Sequence, residues 1–429
     1  MPHDHTPQAI PGSSWNGGRH WRRKATRIGL LCCLPAALAS CESAADRSLV
    51  TRSDSAGIPI ITAQAPVWGP GEGWQVSEEP LVRIGAVEGP REQLLDGVVG
   101  AVRLSNRDFV LGERTTGELR RYDPEGTLVW RAAGQGEGPG EHRVLMFVGL
   151  IPGDTVVTWD VRLNRVQLFD PEGAPVRAFR VEAPWSGAPP TGVIGVSRRR
   201  PVLTFNAGGG EPEDGIVRWP TVRIATLSLE DGSVRVVMDV PGPEVRASVD
   251  GAMAQVMEYP FGKGPRYSVA GGRLAVVDTE RFAVRSVSLD DGAVTAILRR
   301  DEPMRQVTEE DVDAYVEWMT DVSAGAGLHV PPGLAEQPMA STLPALKSIH
   351  LDAGGNLWVE PHSRHGSALP PFQVYTPGGE WLGTVAVPSG LQQENVGLPV
   401  SFEIGDDYIL GVWRDEIGVE YVRMYGLMK

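Results

Sequence analysis

The sequence predicts an all-β fold of six repeated four-stranded units, a six-bladed β-propeller, on three observations. A compact apolar strand that ends in a polar residue occurs six times, at 108–113, 154–160, 201–206, 273–278, 356–360 and 407–413. A turn ending in glycine follows in five of the six, as DPEG at Gly126, DPEG at Gly173, LEDG at Gly232, LDDG at Gly292 and TPGG at Gly379. The sixth unit stops after its third strand at 419–425, while 81–84 (LVRI) is a strand that belongs to no complete unit. Placing the spare strand beside the unfinished unit closes the ring, so an N-terminal strand completes the last blade. Radial repetition of four-stranded sheets is one solution to the exposed-edge problem of β chains.

The pattern is clearest at 118–141, ELRRYDPEGTLVWRAAGQGEGPGE. Residues 118–122 alternate as a strand does, and Asp123-Pro124-Glu125-Gly126 is a turn, with proline presetting φ and Gly126 free to take positive φ. The strand at 128–131 then runs into the glycine segment. Forty-seven residues on, VQLFDPEGAPVRAF repeats the pattern at 166–179. Earlier in the chain, GAVEGPRE at 85–92 matches GQGEGPGE at 134–141 at five of eight positions. The run GQGEGPGE lacks the Lys-Ser/Thr of a phosphate loop, is followed by no helix and carries two carboxylates. It is expected to cross from the outer strand of one blade to the inner strand of the next, where backbone passes close to backbone.

Two stretches interrupt the repeat. Turn glycines stand 47, 59 and 60 residues apart and then 87, which places a partly helical insertion at 300–345 in blade five. Thr308 with Asp311 three residues later is a loose capping box, and Val312, Tyr315, Val316 and Met319 form one apolar face. Such an excursion can cap the channel or pack on the propeller's side. The shorter acidic, glycine-rich stretch 207–217 reads as a mobile loop.

At the amino terminus, Arg22, Arg23, Lys24 and Arg27 precede an apolar run and Leu38-Ala39-Ser40-Cys41, which reads as a secretory signal. It resembles a bacterial lipoprotein signal, and that resemblance implies cleavage before a diacylated Cys41. The domains expected are a signal at 1–40, a tether at 41–57 and the propeller at 58–429. Two of the three cysteines, Cys32 and Cys33, lie in the signal, so the mature chain has no disulfide. Residues 1–40 carry five Lys/Arg and one acidic residue, leaving 35 basic and 53 acidic groups, net −18. That balance argues against nucleic acid and against electrostatic adhesion to anionic lipid. Membrane attachment is then through acyl chains only, and the chain is expected in the bacterial cell envelope as a monomer.

With its strand-turn-strand units running into a GxGPGE-like segment, the chain resembles the bacterial six-bladed propeller lipoproteins related to NHL-repeat proteins, over roughly 54–429. The resemblance implies a fold more than a reaction.

In a propeller the loops leaving each second strand gather on one face around the channel. Glu113, Arg114, Asp160, Arg162, Asn206, Asp278, Arg281, Glu360, His362, Arg364, His365, Arg414 and Asp415 are therefore expected to converge. Their five carboxylates could hold Ca²⁺ through oxygen. Alternating Asp/Glu and Arg suggests instead that they cap strand ends and pair across blades. His362-Ser363-Arg364-His365 is the one local cluster suited to acid/base work or metal, and no G-x-S-x-G elbow is present. Trp159, Trp358 and Trp413 hold matching second-strand positions, as packing between blades or as a stacking platform at the channel mouth. Without a complete catalytic constellation, the leading expectation is a binding or scaffolding module for a protein, peptide or small ligand, with no cofactor. The alternative is a divalent-metal hydrolase or lyase of the lactonase kind with its site in the channel. A purely structural envelope component is the third possibility.

Overall fold

A computed structural model describes residues 49–208, 212–250, 253–325, 329, 333–395 and 398–429. The signal and Cys41 lie outside the described residues. The fold is nearly all β, with many small antiparallel sheets, an organisation consistent with a propeller. Six of these sheets hold four antiparallel strands in chain order, with Gly215–Arg218 looped out of the third, or three completed by a distant one.

The second strands are Phe109–Glu113, Thr155–Asp160, Arg200–Asn206, Arg273–Asp278, Leu357–Pro361 and Tyr408–Arg414, each pairing on both edges. They coincide with the six apolar runs. Burial on both faces is why these runs are continuously apolar instead of alternating. The five turn glycines join third strands to fourth, with φ between +76° and +85°. Asp123 and Asp170 hold these turns by accepting backbone N–H bonds within them. At Gly85, φ is +119° and an added Cβ would lie 2.7 Å from the carbonyl oxygen of Glu420. Only glycine allows that crossing.

Inner strands of neighbouring sheets touch in sequence: Val98–Arg103 meets Leu145–Ile151, which meets Gly192–Ser197, then Pro265–Ala270, then Leu346–Leu351. The fifth and sixth sheets share a core of Trp358, Phe372, Ile409, Trp413 and Tyr425. The sixth packs against the first through Leu410, Val412, Val98 and Leu111. Its outer strand is Val82–Ile84, which pairs antiparallel with Glu420–Met428 in the register Ile84↔Val422, Arg83↔Arg423, Val82↔Met424. Trp159, Trp358 and Trp413 are at most 1% exposed, so they pack the junctions and offer no stacking platform.

Three segments depart from the sequence reading. Within the expected tether at 41–57, Val50–Ser55 is a strand paired with Ile58–Ala63. Ile58–Ala63 lies parallel to Val294–Arg299 on the outer edge of the fourth sheet. The chain then continues along the fifth sheet, where Val67 and Trp68 donate to the carbonyls of Trp381 and Leu382. Gln75–Val76 joins the sixth. A polar strand such as VTRSDS carries no apolar alternation, so its composition reads as linker; it is a strand because Ile58–Ala63, docked on the sheet edge, pairs with it. Likewise Gly215–Arg218, in the stretch read as mobile, is a strand beside Glu244–Asp250, which pairs in turn with Met253–Glu258. The insertion, finally, is the connection between the fourth and fifth sheets.

In an antiparallel sheet ordered one to four, the second strand ends where the first begins and the fourth finishes. Connections from first to second and third to fourth strands therefore share one end, and here all are two to six residues long. The opposite end holds the connections from second to third strands and the crossovers, including the three-stranded excursion and the helix Glu309–Gly325.

Candidate functional site

The residues singled out in the sequence all lie at or beside this loop-rich end, where second strands finish. Each buried carboxylate among them is bound by its own surroundings. Glu113, 1% exposed, takes Arg120 Nη2 at 2.6 Å, Thr116 Oγ1 at 2.5 Å and the Asp96 backbone N–H at 3.0 Å. Asp160, fully buried, accepts four backbone N–H bonds, from Arg143, Val144, Arg162 and Leu163. Its position at the strand's last residue lets one carboxylate tie the loop after the strand to the loop before the sheet. Asp278 pairs with Arg218 of the three-stranded excursion at 2.5 Å. Glu360, fully buried, accepts from Ser348 Oγ and Gln393 Nε2, both at 2.8 Å, with Lys347 Nζ 3.0 Å away.

Asp415 caps its own turn through the N–H groups of Ile417 and Val419, and Arg414 pairs with Glu420 at 2.7 Å. No two of the five carboxylates share a partner. Among the described residues, no group of three or more His, Cys, Asp or Glu is placed to hold a metal ion. Asn206, Arg162 and Arg281 are exposed, and Arg114 is half-buried.

The glycine segment 134–141 is held as a crossover. Arg165 donates to the carbonyls of Glu137, Gly138 and Glu141, and Gln167 bonds Gly140 and Glu141. His142, fully buried, uses both ring nitrogens, Nδ1 on Gly117 O and Nε2 on Thr158 Oγ1, each at 2.9 Å. Burial lowers its pKa, so the ring is neutral.

The histidine cluster is different. His362 and His365 follow the second strand of the fifth sheet, and the insertion lies over them. The helix begins at the capping box foreseen in the sequence: Thr308 Oγ1 donates to Asp311 Oδ2 at 2.7 Å, and the Thr308 N–H reaches the same oxygen at 3.0 Å. Arg364 binds Asp311 at 3.2 Å and Glu310 at 2.8 Å. Tyr315 and Trp318 stand 5.4 and 4.8 Å from the His365 ring, with Phe261 on another side at 5.8 Å. The helix thus covers the loop after a second strand and packs on Phe261, Leu334 and Leu343.

His365 Nδ1 is buried, with no hydrogen-bond partner among the described residues. Burial, with the Arg305 charge adding to it, pushes the His362 pKa down to about 4, and its ring makes no hydrogen bond among the described residues. Beside it opens a cleft of about 250 Å³ between the fourth and fifth sheets. Phe282, Leu346, Val359 and Pro361 supply apolar walls, and Glu302, Arg305, His362 and Gln373 the polar ones. Arg305 was not read from the sequence, since nothing in a polar run such as DEPMRQ marks one arginine as facing a cleft.

No family model matches the chain, and no curated protein does. Similar solved structures include a DUF4221 family member from Bacteroides vulgatus, 10% identical, with a TM-score of 0.49 over 83% of this chain and 99% of that one. A candidate exported protein of Bacteroides fragilis is 10% identical, with a TM-score of 0.44 over 83% of this chain and 95% of that one. A gluconolactonase of Xanthomonas campestris is 12% identical, with a TM-score of 0.41 over 82% and 100%.

Proposed function

We propose that the protein is an exported, lipid-anchored six-bladed β-propeller that serves the cell envelope as a binding module. Six four-stranded sheets whose neighbours touch in order, with the sixth meeting the first, support the blade count. The pairing of Val82–Ile84 with Glu420–Met428 supports closure by the amino-terminal strand. Cys41 is the acylated residue, placed by its Leu-Ala-Ser-Cys context.

The binding reading rests on one observation, the inequality of the two sheet ends. All connections at one end are short turns, whereas the other carries a 46-residue insertion at 300–345, the three-stranded excursion and the histidine cleft. Elaborated loops on a rigid scaffold are where proteins place recognition. A protein, peptide or small ligand is taken at this loop-rich end. The strand-end carboxylates bind their own neighbours, which supports the binding reading over the metal-dependent one.

Photo-crosslinking in the producing cell tests the reading. A crosslinking amino acid at exposed Arg162 or Arg281 is expected to give discrete adducts, and at exposed Glu125 or Glu172, in the short turns, none. Equal adducts at both ends, or none at the loop-rich end, would refute it. Anchoring is read separately, since Cys41→Ala should move the protein from the membrane to the soluble fraction.

A further inference from the structure

The amino-terminal stretch 49–76 follows the short-turn ends of the fifth and sixth sheets. Arg52 Nη2 donates at 3.2 Å to the carbonyl of Gly378, in the turn between the third and fourth strands of the fifth sheet. Ile61 lies against Gly379 of the same turn, where an added Cβ would stand 2.6 Å from its Cγ2. Val67 and Trp68 then donate to the carbonyls of Trp381 and Leu382, the first residues after that turn, at 2.9 and 2.8 Å. Farther on, the Trp74 ring is 6.0 Å from that of Trp358 and 4.6 Å from Lys429 Nζ, which also reaches Asp352 at 3.4 Å. Asp352 opens the short connection between the first and second strands of the fifth sheet, and Gln75–Val76 pairs with Met428 and Leu427 where the third strand of the sixth sheet ends.

The same contacts fix where the chain enters. Val50 faces Ala63, and the Leu49 carbonyl accepts from the Gln64 N–H at 2.9 Å. The entry point therefore lies between the Ile61 contact at Gly379 and the Val67 contact at Trp381. Nine Cα-to-Cα steps separate Val50 from Cys41, a reach of at most about 32 Å.

We propose that the short-turn end of the propeller faces the membrane that holds the acylated Cys41, and that the loop-rich end points away from it into the aqueous compartment. The second strands, five to seven residues long, span about 20 Å. With the loop-rich end at the membrane, the chain would have to climb that height outside the sheets before meeting lipid, which takes up about two thirds of its full reach. From the short-turn rim it meets lipid directly. Electrostatic adhesion does not supply this orientation, because the turns at that end expose Glu125, Glu172, Asp231 and Asp291, which anionic headgroups repel. The covalent link alone holds them there. This inference rests on the lipid-anchor reading and deepens the binding-module one: the loop-rich end takes a soluble ligand of the compartment, not a segment embedded in the anchor's own membrane.

Energy transfer to lipid tests it. Cys41 is the only cysteine after residue 40 and its thiol is acylated, so an introduced cysteine can be labelled alone. Purified lipoprotein carrying Glu125→Cys, Glu172→Cys, Arg162→Cys or Arg281→Cys, all exposed positions, is labelled with a donor fluorophore. Each is reconstituted into phosphatidylcholine vesicles that carry a headgroup-linked acceptor. Labels at 125 and 172 are expected to lose more donor emission than labels at 162 and 281. A long Gly-Ser spacer inserted before Leu49 should shrink that difference toward zero, since such a chain releases the constraint. Equal or reversed losses with the native link, or an undiminished difference with the spacer, would overturn the proposal. Mass spectrometry separates its failure from that of the anchor: an unacylated Cys41 sinks both readings, whereas equal losses from an acylated chain sink the orientation alone. Because the vesicles hold no partner, crosslinking in the cell succeeds or fails independently.

Discussion

The junction between the first two sheets and the junction between the fourth and fifth are built from similar residues and finished differently. At the first, His142 uses both ring nitrogens, Asp160 collects four N–H groups and Arg165 fills itself with loop carbonyls, and on the other face of the first sheet Glu113 is likewise paired with Arg120. At the second, among the described residues, His362 makes no ring hydrogen bond, His365 Nδ1 has no partner, and Arg305 binds a single carbonyl beside an open cleft. Residue type does not separate them; saturation does. A polar group whose bonds are all made inside the protein is holding the fold, because buried groups left unmade are costly. One left with capacity at a cleft is available to something else.

The largest expected effect breaks the saturated side. Arg120→Met leaves Glu113 buried and unpaired and should lower unfolding stability by about 3–5 kcal/mol, measured by urea denaturation. Replacing both partners together, Glu113→Leu with Arg120→Met, should recover most of that loss; if it does not, the pair is doing more than neutralising itself. A smaller loss of about 1–3 kcal/mol is expected for Asp160→Asn, since an amide offers one oxygen to four donors. Arg305→Gln, the counterpart on the unsaturated side, should leave the same denaturation midpoint unchanged.

The smallest effect concerns pH. His362 is held at about 4 by burial against an unfolded value near 6.5, so between those values the unfolded chain binds more protons. Stability from this group is complete above about pH 6.5 and is lost as pH falls toward 4. His362→Gln should therefore flatten the fall in denaturation midpoint between pH 7 and 5, and an unchanged slope would mean that the ring is not buried as described.

Strand identity was legible because it depends on short-range pattern. The six apolar runs became second strands, the five glycine turns took positive φ, and Thr308 with Asp311 capped the helix. The belt at 50–76 was not legible: Val50–Ser55 is polar on all but one position and owes its strand to Ile58–Ala63, which itself lies on the free edge of the fourth sheet. The excursion at 215–218 escaped notice for the same reason, since its partner, Glu244–Asp250, lies far along the chain.

The candidate site divides likewise. Sequence put Asp160, Glu113, Glu360 and the histidines at strand ends, where they are. Which of them would find partners depended on residues such as Arg120, Gln393 and Arg305, whose orientation only packing between sheets decides. By itself, then, the sequence determined an all-β chain of repeated strands and tight turns, because alternation, glycine and proline act over a few residues. The tertiary structure alone decided where hydrogen-bonding capacity was used up and where it was left over, because that follows from which distant segments come within 3 Å of one another.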